Sequence, residues 1–293
     1  MWIFLNDRFV RAEEAVVSVF DHGFLYGDGV YETLRSYGPQ IFMRDRHLAR
    51  LRRSAEAIGI EIPIPSKDWP GLLHEAMARN AVGNEETDAY LRITVTRGEG
   101  EIGLDPSLCQ HPTVVIVAKA LAAYPAHFYR DGVHVIIART RRNLPAALSP
   151  HIKSLNFLNN ILAKQEAIRA GAFDSVMLNW QEHLTECTTS NLFFVRHGRL
   201  CTPAVECGIL DGITRDLVLL LAREHGIPTE EGRYNVPALL EAEECFLTNT
   251  SMELMPVTRV NGSTVGSGRP GPTTQQLHAI FVDQRRRFGE DSP

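Results

Sequence analysis

Residues 149–160 read SPHIKSLNFLNN and place one lysine, Lys153, between a β-rich run and a long apolar helix. Small polar residues lie near this lysine in the sequence. A lysine on an open surface would not require such neighbours. In a cleft, burial lowers the pKa of a lysine amine and makes it a nucleophile that forms imines. Taken alone, the stretch also fits an ordinary surface lysine, so both interpretations stay open at this point.

The composition indicates an ordinary globular protein. The chain has 293 residues, enough for two domains that each bury a core. Its formal net charge of −5 gives no basic field for nucleic acid or an anionic membrane surface. No apolar run is long enough to span a membrane, and MWIFLNDRFV lacks the build of a signal peptide. We therefore expect a cytoplasmic protein without nucleic-acid or membrane partners.

Metal and disulfide chemistry are not expected. The five cysteines show no CxxC spacing, and the eleven histidines include no HExxH motif. An odd number of cysteines without paired spacing disfavours a disulfide framework or a zinc site. We predict reduced thiols and no bound metal.

The spacing of apolar residues predicts an α/β chain of the α+β type with two domains. Residues 1–120 form the smaller one, with two helices expected over RDRHLARLRRSAEAIGI and DWPGLLHEAMARNA, the second capped by Ser66. Residues 121–133 are the expected interdomain linker. The β runs of this first domain are WIFL, AVVSVF, VYETLRSY, QIFM, AYLRITVTRG and PTVVIVAKA.

Residues 134–293 form the larger, β-rich domain in this interpretation. Strands are expected at VHVIIAR, DSVMLNW, the segment around Thr185, NLFFVRHGRLCTP and ECFLTNT. Helices are expected at FLNNILAKQEAIRAGA, GITRDLVLLLAREHGI and TTQQLHAIFVDQRRRF, and the tail GEDSP is expected to fray. In the GITR helix, the expected apolar face consists of Leu217, Leu220 and Leu221.

Four further features could carry chemistry, and each has a plainer interpretation. LDGITRDLV starts a helix whose unpaired N–H groups would bind a phosphate, unless Asp211 or Thr214 simply caps it. Arg50 could meet a buried anion or lie on a solvated, arginine-rich helix face. Glu186 could be a buried carboxylate that needs a partner or an edge-strand residue. TNTSMELMP, from residue 248, could form a plain turn or bind an anion.

A lysine, a carboxylate, an arginine and a phosphate-binding helix start are the groups that a pyridoxal-phosphate site requires. Seven segments resemble, in order, those of class IV pyridoxal-phosphate enzymes, the fold-type IV family of branched-chain and D-amino-acid aminotransferases and aminodeoxychorismate lyase. They are GFLYGDGVYETLR, HLARLRRSA, YLRITVTRG, IKSLNFLNNILAKQEA, TECTTSNLFFV, GILDGITRD and FLTNTSMELMPV. The resemblance implies a smaller N-terminal domain, a larger C-terminal domain carrying the lysine, and pyridoxal 5′-phosphate between them.

The resemblance also implies roles for individual residues. Lys153 would be the catalytic residue, forming an imine with the cofactor aldehyde and moving protons. Glu186 would lie against the pyridine nitrogen and keep it protonated. The phosphate would be held by Arg50, the N–H groups of Ile213 and Thr214, and the Thr250 hydroxyl.

Substrate contacts follow from the same resemblance. The α-carboxylate would meet the N–H groups of Thr250 and Ser251, and the residues expected nearby are Tyr90 and Arg92. Two aromatic residues of the pocket would be Tyr26 and Tyr31. The resemblance further implies a homodimer that acts on amino acids and 2-oxo acids.

Within the family, GLDP after VTRG and the stretch RRNLPAALSPHIKSLN are most similar to the shorter prokaryotic branched-chain aminotransferases. D-amino-acid enzymes place an arginine and a histidine after TRG, where this chain has EGEIGLDP. Two departures from the branched-chain pattern are Phe157 and Leu158 in place of a tyrosine, and NTSME in place of GTAAE. The expected activity is amino transfer between an L-branched-chain or similar apolar amino acid and 2-oxoglutarate. The alternatives are an aminodeoxychorismate-type lyase, a D-amino-acid aminotransferase and, from another class, an inactive cofactor-binding protein.

Overall fold

The computed structural model describes residues 1–289, which form two compact units. Among the described residues, unit 1 comprises Met1–Ala122, Ile152–Asn156 and residues 285–289, and unit 2 comprises Ala123–His151 and Phe157–Gln284. The Lys153 segment therefore groups with unit 1, whereas the predicted boundaries place it in the C-terminal domain. Among residues 1–289, no helix combines the length and the apolar character of a membrane span.

Unit 1 contains a six-stranded antiparallel sheet with the order β2-β1-β6-β5-β3-β4. Its strands are β1 (Trp2–Leu5), β2 (Arg8–Arg11), β3 (Gly29–Tyr37), β4 (Gln40–Ile41), β5 (Ala89–Thr96) and β6 (Thr113–Ala120). The helices are α1 (His22–Tyr26), α2 (Arg44–Ala57) and α3 (Trp69–Arg79). The β3–β4 hairpin turns at Gly38, where a φ of +60° suits a residue without a Cβ.

The core of unit 1 forms between the sheet and its two long helices. Leu48 and Leu51 of α2 and Leu73 of α3 are buried in one apolar cluster with sheet residues. Two expectations for this unit are wrong. The stretch AVVSVF forms no strand, and its valines Val16, Val17 and Val19 are exposed. Ser66 does not cap α3, because it lies in a 3₁₀ turn that precedes the helix.

Unit 2 contains a nine-stranded sheet in which β9 pairs with both β8 and β10. Six of its strands therefore close into a ring in the order β10-β13-β14-β7-β8-β9. The strands are β7 (Val133–Ile137), β8 (Asp174–Leu178), β9 (Leu184–Cys187), β10 (Asn191–Arg196), β11 (Arg199–Pro203), β12 (Thr229–Gly232), β13 (Glu244–Asn249), β14 (Glu253–Val260) and β15 (Ser263–Thr264). The helices are α4 (Ala126–Asp131), α5 (Leu158–Arg169), α6 (Ile213–Glu224), α7 (Val236–Leu240) and α8 (Pro272–Gln284).

Unit 2 also departs from the expected pattern. The stretch predicted as a linker contains α4, and β12, α7 and β14 are additional elements. On α6, Leu217 and Leu221 are buried, but Leu220 is 41% exposed. Around the helix axis, Leu220 and Leu221 flank Leu217 on two different sides, and only the side of Leu221 faces the core. The fraying predicted for GEDSP stays a prediction, since residues 290–293 lie outside the described residues.

Candidate active site

Backbone hydrogen bonds hold Lys153 beside the first residues of β3. Its carbonyl oxygen accepts a hydrogen bond from the Tyr31 N–H at 3.0 Å, and its own N–H donates to Oγ of Ser54 on α2 at 3.2 Å. The N–H of Leu155 donates to the Gly29 carbonyl at 2.9 Å, so the segment follows β3 over several residues. This lysine therefore has a fixed backbone, which the surface-lysine interpretation does not explain.

The side chains of Lys153 and Arg92 both lie against the ring of Tyr31. Nζ of Lys153 is 4.5 Å from the ring centroid, and Cζ of Arg92 is 4.0 Å from it. Cations at such distances are attracted by the negative face of an aromatic ring. Tyr90 lies two residues before Arg92 on the same face of β5, with its hydroxyl 3.5 Å from Oγ1 of Thr33. Unit 1 thus gathers four predicted site residues on β3, on β5 and in the Lys153 segment.

Arg50 is buried and bound to a carboxylate that the sequence reasoning missed. Its Nε donates to Oε1 of Glu32 at 2.6 Å and its Nη2 to Oε2 at 3.0 Å. Nδ1 of His47 lies 2.9 Å from the same Oε2. The interpretation of Arg50 as part of a solvated helix face is wrong, since only 4% of the residue is exposed. The signal for Glu32 was a carboxylate inside the predicted strand VYETLRSY.

The charges of this cluster follow from burial and proximity. Burial raises the pKa of Glu32, but Arg50 and His47 lower it by more, so the pKa lies well below its usual range. Burial also lowers the pKa of His47, and Arg50 and Lys153 lower it further against the opposing effect of Glu32. At neutral pH Glu32 is therefore ionised and His47 neutral. Nδ1–H of His47 then donates to Glu32, and Nε2 has no hydrogen-bond partner among residues 1–289.

Tyr26 lies on α1 with different neighbours. Its ring packs edge-to-face on His22, with the centroids 5.0 Å apart. Its hydroxyl accepts a hydrogen bond from the Gly103 N–H at 3.1 Å, and the residue is 36% exposed. Tyr26 therefore ties α1 to the loop after β5, and its role towards a substrate stays a prediction.

In unit 2, Glu186 is buried on β9 and its carboxylate is bound from both sides. Oε1 accepts a hydrogen bond from Nε of Arg142 at 2.9 Å. Oε2 accepts bonds from Nδ2 of Asn191 at 3.1 Å and from the Leu210 N–H at 3.0 Å. The edge-strand interpretation is wrong, because β9 has strands on both sides. Arg142 and Asn191 are residues that the sequence reasoning missed.

The sheet of unit 2 places three polar residues in one row. Asn191 on β10 pairs with Glu186 on β9 and with Thr248 on β13. The hydroxyl of Thr248 is buried and has no hydrogen-bond partner among residues 1–289. Nδ2 of Asn191 also donates to the Leu210 carbonyl at 3.0 Å, which connects this row to the chain leading into α6. A polar, incompletely bonded patch in a buried sheet is expected where a ligand binds.

The start of α6 has no side-chain cap. The N-cap residue is Gly212, so neither Asp211 nor Thr214 fills that position and the plain capping interpretation is wrong. A Cβ on Gly212 would lie 1.9 Å from Oδ1 of Asn191, so only glycine fits. The hydroxyl of Thr214 is buried and has no hydrogen-bond partner in residues 1–289. Uncapped N–H groups beside such a hydroxyl suit a phosphate.

The turn between β13 and β14 carries Thr250 and Ser251. Oδ1 of Asn249 accepts hydrogen bonds from the N–H groups of Ser251 at 2.9 Å and Met252 at 2.8 Å. Thr250 and Ser251 are half-buried. The Ser251 N–H therefore already has an acceptor, which a substrate carboxylate would have to share or replace.

Comparison with known proteins identifies the family. The family described as amino-transferase class IV matches residues 29–260. A protein named "Putative branched-chain-amino-acid aminotransferase" from Methanocaldococcus jannaschii is 39% identical over 99% of this chain and 98% of its own length. The chain belongs to the class IV aminotransferases. A D-alanine aminotransferase from Listeria monocytogenes is 35% identical over 97% of this chain and 96% of its own.

The class IV assignment is supported by a solved structure. A branched-chain amino acid aminotransferase from T.th., solved with pyridoxamine 5′-phosphate, has a TM-score of 0.90, with 31% identity over 97% of this chain and 93% of its own. This likeness confirms the predicted fold class, fold-type IV. The predicted cofactor, pyridoxal 5′-phosphate, and the predicted enzyme class, a transaminase, are confirmed as well.

The residues of this class IV chain fit such a cofactor. The uncapped start of α6 and the unpartnered Thr214 hydroxyl suit its phosphate, and the buried Glu186 suits a protonated ring nitrogen. Lys153 supplies the amine that covalent attachment requires. We find a chemically suitable group for each part of the cofactor.

Proposed function

We propose that the protein transfers amino groups between an L-branched-chain or similar apolar amino acid and 2-oxoglutarate. The observation that carries the proposal is the position of Lys153, fixed along β3 with its Nζ against Tyr31. The M. jannaschii relative bears a branched-chain name, which supports this substrate class. The stretch EGEIGLDP after TRG contains neither arginine nor histidine, which argues against the carboxylate trap of D-amino-acid enzymes.

We assign the cofactor contacts as follows. Arg50, the N–H groups of Ile213 and Thr214, and the Thr250 hydroxyl hold the phosphate. Glu186 holds a proton on the ring nitrogen, and Arg142 and Asn191 orient its carboxylate. Two N–H groups of Arg50 donate hydrogen bonds to Glu32, so Glu32 fixes the orientation of the guanidinium group.

Catalysis in this proposal depends on proton transfer by Lys153. When bound, pyridoxal phosphate supplies a ring that takes up the electron pair released as the Cα–H bond of the substrate breaks. Nζ of Lys153 is the base that takes this proton, and the backbone bonds to Tyr31 and Ser54 hold it in place. His47, buried nearby and neutral, adds no competing positive charge.

Substrate recognition uses polar groups of the TNTS turn and of β5. The turn with Thr250 and Ser251 binds the α-carboxylate, with Tyr90 and Arg92 as further hydrogen-bond donors. Tyr31 and Tyr26 supply the aromatic surface for an apolar side chain. Because the Ser251 N–H already donates to Oδ1 of Asn249, we expect the Thr250 N–H to make the stronger contact with the substrate carboxylate.

A D-amino-acid aminotransferase is the second candidate, and the L. monocytogenes relative favours it. A panel of L- and D-amino acids in a half-reaction, followed by the change in cofactor colour, separates the two. Rapid colour change with D-alanine and none with L-leucine would overturn the proposed stereochemistry. A lyase is distinguished by turnover without any 2-oxo acid, since transamination stalls after one half-reaction.

Borohydride reduction tests the role of Lys153 directly. The purified protein should be yellow, and borohydride should bleach it and fix the cofactor to Lys153. Lys153→Ala protein should bind the cofactor without a reducible bond. A reducible bond in that variant would show that another amine carries the cofactor.

We also propose that the protein is a homodimer and works in the cytoplasm. Unit 1 exposes a set of apolar side chains at and around α1 and the loop after β5, which is typical of an interaction surface. They are Val16, Val19, Phe20, Phe24, Ile102 and Leu104. Light scattering should give twice the chain mass of 32.7 kDa, and a monomer would contradict the proposal.

A further inference from the structure

The turn from Asn249 to Glu253 is held from within by Asn249. Asn249 pairs with Glu253 across the turn, and its Oδ1 accepts hydrogen bonds from the Ser251 and Met252 N–H groups. These contacts set the local shape of the turn. They do not set its position relative to the helices that pack beside it.

Glu253 ends the turn in an unfavourable backbone conformation. Its φ of +57° lies in the left-handed region, which a residue with a Cβ adopts at a cost in stability. The residue is nevertheless buried, and Oε2 of its carboxylate lies 3.1 Å from Nε2 of His278 on α8. A strained, buried glutamate persists where its side chain makes a contact that glycine cannot make.

The contacts of Glu253 lead back to the same turn. The ring of His278 stacks on Tyr129 of α4, with centroids 5.5 Å apart and an interplanar angle of 18°. The hydroxyl of Tyr129 donates to the Met252 carbonyl at 3.0 Å. The contacts therefore form a closed ring that holds one side of the turn, and its members are Met252, Glu253, His278 and Tyr129.

The two helices of this closed ring have independent anchors. The first turn of α8 is held by Glu244, whose carboxylate accepts from the N–H groups of Thr273 at 2.9 Å and Thr274 at 2.7 Å. The end of α4 is held by Thr258, whose hydroxyl donates to the Asp131 carbonyl at 3.2 Å. The helices are therefore fixed to β13 and β14 outside the turn, so they can define where the turn lies.

We propose that Glu253, His278 and Tyr129, which we call the brace, are positioning residues for the turn that carries Thr250 and Ser251. The inference rests on the proposed function, which assigns this turn to the cofactor phosphate and the substrate carboxylate. The brace touches neither ligand. It holds the turn so that the Thr250 hydroxyl and the backbone N–H groups are in place before binding, which reduces the ordering that binding would otherwise require.

Substitution of Glu253 by glycine distinguishes the effect of the side-chain contact with His278 from the effect of the left-handed backbone conformation. Glu253→Gly adopts the left-handed conformation freely but loses the contact with His278. We expect its apoenzyme to bind pyridoxal phosphate about tenfold more weakly in a fluorescence titration, the loss typical of a hydrogen bond to a charged group. We also expect the KM for the amino donor to rise more than kcat falls, while the melting temperature stays level or increases.

Two conservative variants refine this test. Glu253→Gln keeps an oxygen that can accept from Nε2–H of His278 and should restore most of the affinity. Tyr129→Phe removes only the hydroxyl that bonds Met252 and should lose less affinity than Glu253→Gly. His197→Gly is the matched control, because His197 also has a positive φ, +51°, in the exposed β10–β11 turn. It should leave cofactor affinity unchanged.

Thr250→Ala distinguishes failure of the brace from failure of the proposed function. If Thr250→Ala binds pyridoxal phosphate as tightly as wild type, the turn does not hold the phosphate and the site assignment fails. If Thr250→Ala weakens binding but Glu253→Gly does not, the brace is overturned and the assignment stands. Parallel losses of melting temperature and affinity that Glu253→Gln fails to restore would also overturn it, because they indicate a folding defect.

Discussion

Two buried carboxylates, Glu32 in unit 1 and Glu186 in unit 2, each pair with one arginine but are bound differently. Glu32 receives two N–H groups from Arg50 and one contact from His47, both on α2, and it accepts a longer bond from the Thr33 N–H at 3.3 Å. Glu186 receives one N–H from Arg142, one from an asparagine on the next strand and one from the backbone. The first carboxylate orients an arginine. The second is itself oriented, as the ligand-binding role proposed for it requires.

The largest effect expected from this difference is on folding. Glu32→Ala leaves Arg50 buried without its counter-charge, which typically costs about 3–5 kcal/mol of unfolding free energy. Urea unfolding of the apoenzyme measures this loss. Glu32→Gln keeps the shape and one acceptor and should lose less. Unchanged stability in both variants would show that Arg50 finds another partner.

Glu186→Gln should affect catalysis more than folding. The cofactor should still bind, but transamination should fall about 10²–10³-fold, as when one preorganised electrostatic group is removed from an active site. Glu231→Gln is the matched control, since Glu231 also pairs with an arginine of unit 2, Arg215. The control should retain activity, and near-normal turnover of Glu186→Gln would disprove the assigned role.

Thr214→Val should lower phosphate affinity without lowering stability. Its hydroxyl has no hydrogen-bond partner in residues 1–289, so folding loses nothing, whereas a bound phosphate loses one bond worth about 1 kcal/mol. Titration of the apoenzyme with pyridoxal phosphate measures the effect. Thr202→Val provides the opposite control, because its buried hydroxyl donates to the Leu192 carbonyl at 2.7 Å. It should lose stability and keep affinity.

The smallest effect expected is on the acid side of the stability profile. Because the pKa of His47 is lowered by folding, its contribution is present above about pH 6.5, the ordinary histidine pKa, and declines below it. Because the pKa of Glu32 is also lowered, its contribution is present above about pH 4.3 and declines as the pH falls further. Urea midpoints between pH 8 and about pH 3 measure both contributions. His47→Gln should reduce the dependence of stability on pH around and below about pH 6.5. An unchanged profile would contradict the neutral, buried state assigned to His47.

Local sequence was informative where one residue type has few alternatives. Lys153, Glu186, the start of α6 and the TNTS turn each stood out, because a lone charge, a glycine or a cluster of polar side chains lies there at the junction of predicted elements. The family, the cofactor and the enzyme class inferred from them are confirmed. The strand predicted at AVVSVF is wrong because composition does not show whether a partner strand exists.

The partners of these residues were not predictable, because they come from distant parts of the chain. Glu186 meets Arg142 44 residues away, and Arg50 meets Glu32 18 residues away. Strand register decides such meetings, and register depends on the packing of whole sheets. The same holds for the brace, in which three elements converge on one turn.

The sequence by itself determined which reactive groups the protein has and in what order they occur, since side-chain chemistry and helix starts are local properties. Only the tertiary structure decided how those groups are held. Lys153 shows the division most clearly: its amine is visible in the sequence, but Ser54, 99 residues away, fixes its backbone. Long-range hydrogen bonds form only after chain folding brings their partners together, so no local pattern encodes them.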